Sequence, residues 1–471
     1  MLFNSGVFLK FFAAFLLLYW LVRNHLPARN VLIVAASYLF YGWWDWRFLS
    51  LIFISSVVDY GVGLALARTE APRRRQAWLA FSLTVSLTLL GFFKYYDFFV
   101  ESLAALLARL DVSLHPRTLG IILPVGISFY TFQTMSYVID VYRGQIPATR
   151  NFVNFLAFVS FFPQLVAGPI ERGGHLLPQF DGTRSITRPM LEEGLWLILW
   201  GMFKKVVLAD NLAPLTDMVY QSTAFTGPAV VLGTLAFGFQ IYCDFSGYSD
   251  IARGTARLLG FDILINFNLP YAAVNIREFW RRWHISFSRW ILDYIFLPLQ
   301  MLWRAWPKTG TAAALLVTFL ASGLWHGAAW NFVLWGLWQG LGLTLHLALT
   351  QTRNAKRDTR SFLKILSWML TMLFVFYGWL LFRARSLDQI VAMTRALGDF
   401  TLPAWTASFL INLLTFATPL VLMEIWQSKA RSHLAALSLP AWAKVTLQGA
   451  LLLAIVLFWE KDKVPFIYFQ F

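Results

Sequence analysis

The sequence predicts an all-α protein that crosses a membrane many times. Of its 471 residues, 58% are hydrophobic and only 13% are charged, and the mean hydropathy is +0.60. Soluble domains usually carry about 25% charged residues, so this composition excludes an ordinary soluble fold. Apolar runs that are long enough, or nearly long enough, to cross a bilayer occur at 6–22, 31–43, 48–67, 77–93, 119–138, 152–170, 190–208, 228–243, 311–325, 328–349, 362–382, 405–426 and 445–459. Several are short enough to be re-entrant or interfacial, so we expect about ten to twelve spanning helices.

The apolar runs follow one another without a gap large enough to separate domains. The longest polar gaps, near 171–189 and 351–360, are the size of loops, and no tandem repeat or low-complexity linker interrupts the chain. We therefore predict one membrane domain over 1–471, with 459–471 as a C-terminal tail. The first run lacks the basic leader and the small-residue cleavage site of a signal peptide, so we assign it to the mature protein.

The net charge of +15 indicates loops that face anionic lipid rather than a surface for nucleic acid. The basic residues lie in short loops between apolar runs and form no continuous basic face. Under the positive-inside rule, the basic clusters at 73–75 and 353–360 lie in the cytoplasm. Counting the runs from these clusters places the N-terminus and the C-terminal tail on the periplasmic side.

The strongest candidate for chemistry is a histidine inside an apolar stretch. Residues 315–338 are predicted to be buried in the membrane, and the segment 322–328 (SGLWHGA) places His326 among them. An ionisable group in such a position is costly and is a functional candidate by default. No metal site is predicted, because Cys243 is the only cysteine and a cluster of thiolate ligands cannot form.

A second candidate histidine lies in the segment 278–294 (EFWRRWHISFSRWILDY). On a single helix its aromatic side chains form one stripe with the charged side chains opposite, which predicts an interfacial amphipathic helix. His284 falls at the edge of this stripe, where its near-neutral pKa would let it receive and pass protons. We expect ordinary surface or capping roles for the other histidines, which are His25, His115, His175, His346 and His433.

Several segments, in the same order along nearly the whole chain, form a family pattern. They are 123–130 (LPVGISFY), 137–144 (YVIDVYRG), 162–170 (FPQLVAGPI), 242–250 (YCDFSGYSD), 278–286 and 323–328. Together they resemble the membrane-bound O-acyltransferases, in particular the bacterial branch that acts in alginate O-acetylation. The resemblance implies a helical bundle around a central tunnel, with His326 as the histidine of the buried active site and His284 as its upstream partner.

The resemblance also implies acetyl-coenzyme A as the acyl donor, entering from the cytosol. Transfer from a thioester to a hydroxyl needs a base for the hydroxyl proton and donors for the developing oxyanion, and histidine suits the first role. The donor phosphates need cationic partners, and the candidates are Arg281, Arg282, Lys204 and Lys205. Anchoring of cytosolic loops to lipid is the alternative role for the same charges.

The implied acceptor is a cell-surface polysaccharide outside the bacterial inner membrane, reached through a periplasmic partner of the SGNH-hydrolase-like acetyltransferase type. Residues 299–308 (LQMLWRAWPK) stand where alginate-type relatives carry a Gly-Gly-Asn-Arg-like loop. Because of this departure, alginate, cellulose, peptidoglycan and other exopolysaccharides all stay open as acceptors.

The C-terminal segment 465–471 (PFIYFQF) has two interpretations. It is either an aromatic anchor at the membrane interface or an acyl carrier. The second interpretation follows from its similarity to the endings of surface-polymer acylation systems, including the small companion peptide of teichoic acid D-alanylation. In that role Tyr468 would accept the acyl group on its phenol oxygen, which is feasible if a base lies near.

Two other function classes fit the same residues. A proton-coupled transporter would use His284 and His326 as a proton relay and would need no thioester donor. A non-catalytic membrane scaffold of a polysaccharide-modifying complex would leave the chemistry to its partners.

Overall fold

The computed structural model describes residues 1–112, 118–352, 361–459 and 466–467. This part of the chain is mostly helical and contains no strand, as the sequence predicted. Seven of its helices are long and apolar enough to cross a membrane, by length and composition: Trp46–Arg68, Pro72–Ala108, Gly227–Leu258, Thr309–His326, Trp330–Thr350, Phe362–Arg383 and Thr406–Ala430. Two shorter apolar helices are Gly6–Val22 and Ala441–Leu457. The protein is therefore a multi-pass membrane protein.

Some apolar runs form helices too short to span a bilayer. The run at 152–170 contains a helix of only nine residues, Phe152–Ser160, which is about 14 Å long at 1.5 Å per residue. The chain then turns tightly, and a Cβ at Gly168 would lie 2.4 Å from the Cα of Gln164. Interruptions of this kind explain why the described part holds fewer long spans than the sequence has apolar runs.

The chain divides into two compact units, and unit 1 comprises Met1–Leu191 and Thr255–Leu264. Its helices are α1 Gly6–Val22, α2 Leu26–Gly42, α3 Leu49–Arg68, α4 Pro72–Leu90, α5 Tyr96–Ala108, α6 Ile127–Tyr142, α7 Phe152–Ser160 and α8 Gly173–Leu176. Helix α6 is buried along almost its whole length and packs against α3 and α4. It forms the centre of this unit.

Unit 2 comprises Glu192–Gly254 and Ile265–Phe471, and it holds the two histidines predicted to be functional. Its helices, two of which extend into unit 1, are α9 Arg188–Met202, α10 Asp210–Tyr220, α11 Gly227–Leu258, α12 Ile276–Arg282, α13 Ile285–Ile291, α14 Leu297–Leu302, α15 Thr309–His326, α16 Trp330–Thr352, α17 Ser361–Arg383, α18 Leu387–Ala396, α19 Thr406–Ala430 and α20 Ala441–Leu457. The organisation of 1–471 as a single domain stays a prediction.

Candidate active site

His326 is the last residue of α15, and the close packing of α15 against α16 fixes its position. A Cβ at Gly323 would lie 2.2 Å from the carbonyl oxygen of Phe332, and a Cβ at Gly336 would lie 2.3 Å from that of Phe319. Only glycine allows two helix backbones to approach so closely, as is common for helices that associate in membranes. The helix pair thus holds the histidine on a rigid support.

The imidazole of His326 lies in a shell of aromatic rings. Its ring centroid is 4.9 Å from Trp325, 4.9 Å from Trp335, 5.2 Å from Phe382 and 5.7 Å from Phe287. The residue is only 5% exposed. Electrostatic interactions with a reacting group are stronger in such a water-poor environment than in water.

His284 is completely buried, and the helix predicted around it is broken at this residue. It has φ 42°, in the left-handed region, and it separates α12 from α13. The break has a physical cause: the backbone N–H of Ile285 donates to the carbonyl oxygen of Asn266, and the N–H of Asn268 donates to that of Arg282. These bonds replace the hydrogen bonds of a continuous helix.

The interfacial amphipathic helix predicted at 278–294 is therefore wrong. Trp280, Trp283, Phe287 and Trp290 are each less than 9% exposed, so most of the aromatic stripe packs inside the protein instead of facing lipid headgroups. His284 lies outside the candidate spans, and burial lowers the pKa of its imidazole well below the usual value. It is a neutral, enclosed histidine rather than one at a border with water.

One stacked aromatic pair brings the two histidines together. Phe287 and Trp325 stack with their ring centroids 4.2 Å apart. His284 lies 5.0 Å from Phe287 and 5.9 Å from Trp325, and His326 contacts the same two rings. The two histidines are thus neighbours of one aromatic layer, as their predicted partnership requires.

A cavity of about 650 Å³ in the same unit has a basic lining. Arg277, Arg281 and Arg289 line it, together with apolar residues of α15 and α16. Trp280 also lines the cavity, its ring centroid is 5.8 Å from that of Trp335, and Trp335 contacts His326. Two indole rings therefore stand between the basic cavity and the histidine.

Sequence comparison identifies the family to which this site belongs. The family model for membrane-bound O-acyltransferases matches residues 145–387, slightly more than half of the chain and all of the site described above. The chain belongs to the membrane-bound O-acyltransferase family. It is an O-acyltransferase.

Its relatives include proteins named for acyl transfer to alginate, peptidoglycan and teichoic acid. It is 43% identical to a probable alginate O-acetylase of Azotobacter vinelandii, over 85% of this chain and 79% of the relative. It is 32% identical to a peptidoglycan O-acetyltransferase of Helicobacter pylori, over 100% of this chain and 98% of the relative. A teichoic acid D-alanyltransferase of Streptococcus thermophilus is 29% identical, over 56% of this chain and 67% of the relative.

Of the four cations predicted to bind the donor, only Arg281 lines the basic cavity of this O-acyltransferase. Arg282 forms an ion pair with Glu278 at 2.6 Å. Lys204 and Lys205 are buried, and both are paired with carboxylates of unit 2. Lys204 pairs with Asp250 at 2.7 Å, and Lys205 pairs with Asp210 and Asp244, both at 2.8 Å.

These lysine ion pairs also explain why the 242–250 segment can hold buried acidic residues. Carboxylates at this depth are costly unless they are paired, and Asp244 and Asp250 each have a lysine partner. Lys204 additionally donates to the hydroxyl of Ser246 at 2.9 Å. A role in phosphate binding would require either lysine to leave its carboxylate.

One predicted candidate, the proposed carrier in the C-terminal tail, lies just outside the described residues. Tyr468 is outside them, but Phe466 and Ile467 are described and buried. The N–H of Ile467 donates to Oδ2 of Asp244 at 2.7 Å, and the Phe466 ring lies 5.9 Å from Phe245. Phe245 in turn packs edge-on against His284, with 4.7 Å between the ring centroids. The described end of the tail is therefore tied to the layer that carries His284.

Two of the remaining histidines differ from the surface or capping roles expected of them: His346 lines the basic cavity, and His175 is paired with carboxylates. His25 caps α2, as predicted, by accepting from the N–H of Ala28 at 3.3 Å. His115 lies outside the described residues. His175 is not an ordinary surface residue, since its Nδ1 is 2.7 Å from Glu171 and its Nε2 is 3.8 Å from Asp262. The carboxylates of Asp262 and Glu171 raise the pKa of His175 to about 10.

Sequence analysis missed Arg277, Arg289, Trp335 and Asn266. Arg277 and Arg281 are spaced i, i+4 and therefore lie on one helical face, a signal that was available in the sequence. Trp335 and Asn266 gave no such signal, because they reach the histidines only through the folding of distant segments.

Proposed function

We propose that this O-acyltransferase moves acetyl groups from cytosolic acetyl-coenzyme A across the bacterial inner membrane for O-acetylation of a cell-surface polysaccharide. The observation that carries the proposal is the buried pair His326 and His284 beside a cavity lined by three arginines. Arginine suits the donor phosphates, because its planar fork binds phosphate oxygens in pairs. An aromatic, water-poor shell around His326 also protects the thioester from hydrolysis.

The proposed chemistry uses one base and breaks two bonds, the O–H bond of the acceptor and the C–S bond of the thioester. The acceptor hydroxyl gives its proton to His326 while its oxygen forms a bond to the acetyl carbon. The carbon–sulfur bond then breaks, and the coenzyme A thiolate takes the proton from the imidazolium. The imidazole of His326 is restored at the end of the cycle, and the hydroxyl proton leaves the site on the coenzyme A thiol.

Replacement of His326 tests this assignment. His326→Ala should lower coenzyme A release from acetyl-coenzyme A by about 10²–10⁴-fold, the usual contribution of a general base. The matched control is His25→Ala, which removes an exposed helix cap in unit 1 and should keep full turnover. Equal thioester turnover in the His326→Ala and wild-type proteins, at equal folded fraction, would refute the role of His326.

The donor site is tested at Arg281, with its neighbour as the comparison. Arg281→Ala should raise the KM for acetyl-coenzyme A with little change in kcat, because the arginine lines the cavity and binds phosphate equally in the ground state and the transition state. Arg282→Ala should leave that KM nearly unchanged, because Arg282 pairs with Glu278. A larger effect at Arg282 than at Arg281 would place the donor elsewhere.

We further propose that Tyr468 takes the acetyl group from the thioester at the His326 site and carries it to a periplasmic partner of the SGNH-hydrolase-like type. The phenol oxygen attacks the thioester carbon, its proton goes to the base, and coenzyme A leaves as the thiol. The resulting aryl ester then passes its acetyl group to the partner, and the phenol is restored. The support is the anchored pair Phe466 and Ile467, which ties the residues just before Tyr468 to the layer of His284.

Mass spectrometry of the purified protein after incubation with acetyl-coenzyme A tests the carrier. We expect an acetylated tail peptide in the wild type, none in Tyr468→Phe, and none in His326→Ala. An unmodified wild-type tail during turnover would contradict the carrier role while leaving the acyltransferase assignment intact. Labelling of Gln470→Cys by an impermeant thiol reagent in whole spheroplasts tests the periplasmic position of the tail, with Cys243 replaced by serine beforehand.

We propose an exopolysaccharide such as alginate or cellulose as the final acceptor. The support is the high identity to probable alginate O-acetylases over most of the chain. The segment 299–308 is where contacts with the acceptor or its partner would differ from those of alginate-type relatives. The test is O-acetyl analysis of the secreted polymers from a strain that lacks this chain, complemented with the wild-type protein or His326→Ala. Loss of acetyl groups from peptidoglycan alone would overturn the choice of acceptor.

A further inference from the structure

Asn266 lies in a segment without regular secondary structure that is hydrogen-bonded to the break between α12 and α13. Its backbone accepts from the N–H of Ile285 at 2.9 Å, and the neighbouring Asn268 donates to Arg282 at the same distance. Two backbone hydrogen bonds therefore set the register between this segment and His284. The Asn266 side chain is only 1% exposed and lies beside the imidazole.

The orientation of the Asn266 amide follows from its neighbours. The backbone N–H of Ser286 points at one end of the amide at 3.3 Å. A backbone N–H can only donate, so the atom that faces it must be the oxygen Oδ1 and not the NH₂ group. The Ser286 hydroxyl donates to the same oxygen at 2.6 Å, and Nδ2 donates to the Ser249 hydroxyl at 3.3 Å at the other end.

This orientation determines which nitrogen of His284 carries the proton. Nδ1 of His284 lies 3.3 Å from the same Oδ1. A carbonyl oxygen can only accept, so Nδ1 must be the donor. In a neutral imidazole the other nitrogen then has the lone pair, and Nε2 is the basic atom.

We infer that Asn266 is a positioning residue that fixes His284 as the Nδ1–H tautomer, so that Nε2 carries the lone pair and can accept a hydrogen bond beside the base His326. The amide orients the ring through a hydrogen bond and places no negative charge beside the imidazole. The left-handed backbone at His284, with φ 42°, places the ring within reach of Oδ1. The catalytic value of this arrangement rests on the function proposed above, whereas the tautomer itself does not.

The tautomer is measured directly by ¹⁵N NMR of the full-length protein in liposomes, with only its histidines labelled. The His284→Gln spectrum identifies the His284 signals by difference. We expect a protonated, pyrrole-like Nδ1 and an unprotonated, pyridine-like Nε2 in the wild type. The opposite pattern in the wild type would overturn the inference without any variant.

Three variants separate positioning from a general structural role. Asn266→Ala should lose the Nδ1–H signature and lower kcat by about 10–100-fold, the loss typical of a removed orienting partner, with a small change in KM. Asn266→Asp keeps an acceptor in the same place and should keep Nδ1 protonated. Ser249→Ala removes only the partner of Nδ2 and should keep both the signature and the kcat.

The outcomes distinguish this inference from the proposed function. An unchanged tautomer signature or an unchanged kcat in Asn266→Ala would overturn the positioning role. A wild-type protein that does not turn over acetyl-coenzyme A would instead overturn the proposed donor, and the NMR pattern would be unaffected by that result.

Discussion

Substitution of Gly323 by alanine tests whether the contact between α15 and α16 sets the position of His326. The new Cβ would lie 2.2 Å from the carbonyl oxygen of Phe332. Since Cβ atoms essentially never approach closer than 3.0 Å, the two backbones must separate by at least 3.0 − 2.2 = 0.8 Å. The contacted atom belongs to the backbone and cannot rotate away, so the shift passes to His326, which is in the last turn of the same helix.

This displacement has an expected magnitude in both stability and rate. Forcing extra volume into a packed contact costs about 1–3 kcal/mol, so we expect a lower thermal midpoint but a folded protein. A misplacement of roughly 1 Å at a catalytic group lowers the rate by up to about 100-fold. We therefore expect kcat for coenzyme A release in proteoliposomes to fall by about 10–100-fold.

Gly449→Ala provides the matched control, because a Cβ there would have no described heavy atom within 4 Å. Gly449 lies within α20, where alanine favours the helix over glycine by about 1 kcal/mol. This control should retain wild-type kcat and should not lower the thermal midpoint. If Gly323→Ala matches Gly449→Ala in both measurements, close approach of the two helices is not what positions the histidine.

Three further changes have directions set by the structure. The pKa of His175 is raised to about 10 in the folded state. Its ion pairs therefore stabilise the protein fully below the unfolded pKa of about 6.5, and this stabilisation is lost as the pH rises through 10. The difference in thermal midpoint between wild type and His175→Gln should shrink over that pH range, and a constant difference would contradict this. Lys205→Met leaves the buried carboxylate of Asp244 without its cation and should lower the free energy of unfolding by about 3–5 kcal/mol. A decrease below about 1 kcal/mol would mean that water compensates the carboxylate charge. Gly378→Ala would place a Cβ 2.6 Å from Nε2 of Gln339, whose flexible end can move, and 3.7 Å from Nε1 of Trp335, the ring that contacts His326. We expect a thermal midpoint close to that of the wild type and a several-fold lower kcat, and an unchanged kcat would contradict a role of this packing in positioning Trp335.

Composition and apolar runs were sufficient to predict the fold class, because burial of apolar segments in a bilayer depends only on length and hydropathy. They were insufficient for the run at 152–170, where the helix ends after nine residues. That break depends on tight backbone packing around Gly168, and hydropathy carries no information about it. Continuous helicity was likewise a poor assumption at His284, because the competing hydrogen bonds come from residues 266–268.

In the candidate site, too, the sequence predicts what neighbouring residues form but not the contacts between distant segments. His284 and Phe287 are three residues apart, and Trp325 and His326 are adjacent, so each histidine lies next to one ring of the stacked pair in the sequence itself. What the sequence does not contain is the contact between the two rings, with 4.2 Å between their centroids, across nearly forty positions of chain. Two conspicuous local segments thus predict two histidines, and only the stacking of one aromatic ring from each makes them a single site. The roles of the pair therefore depend less on either histidine motif than on the packing that joins them.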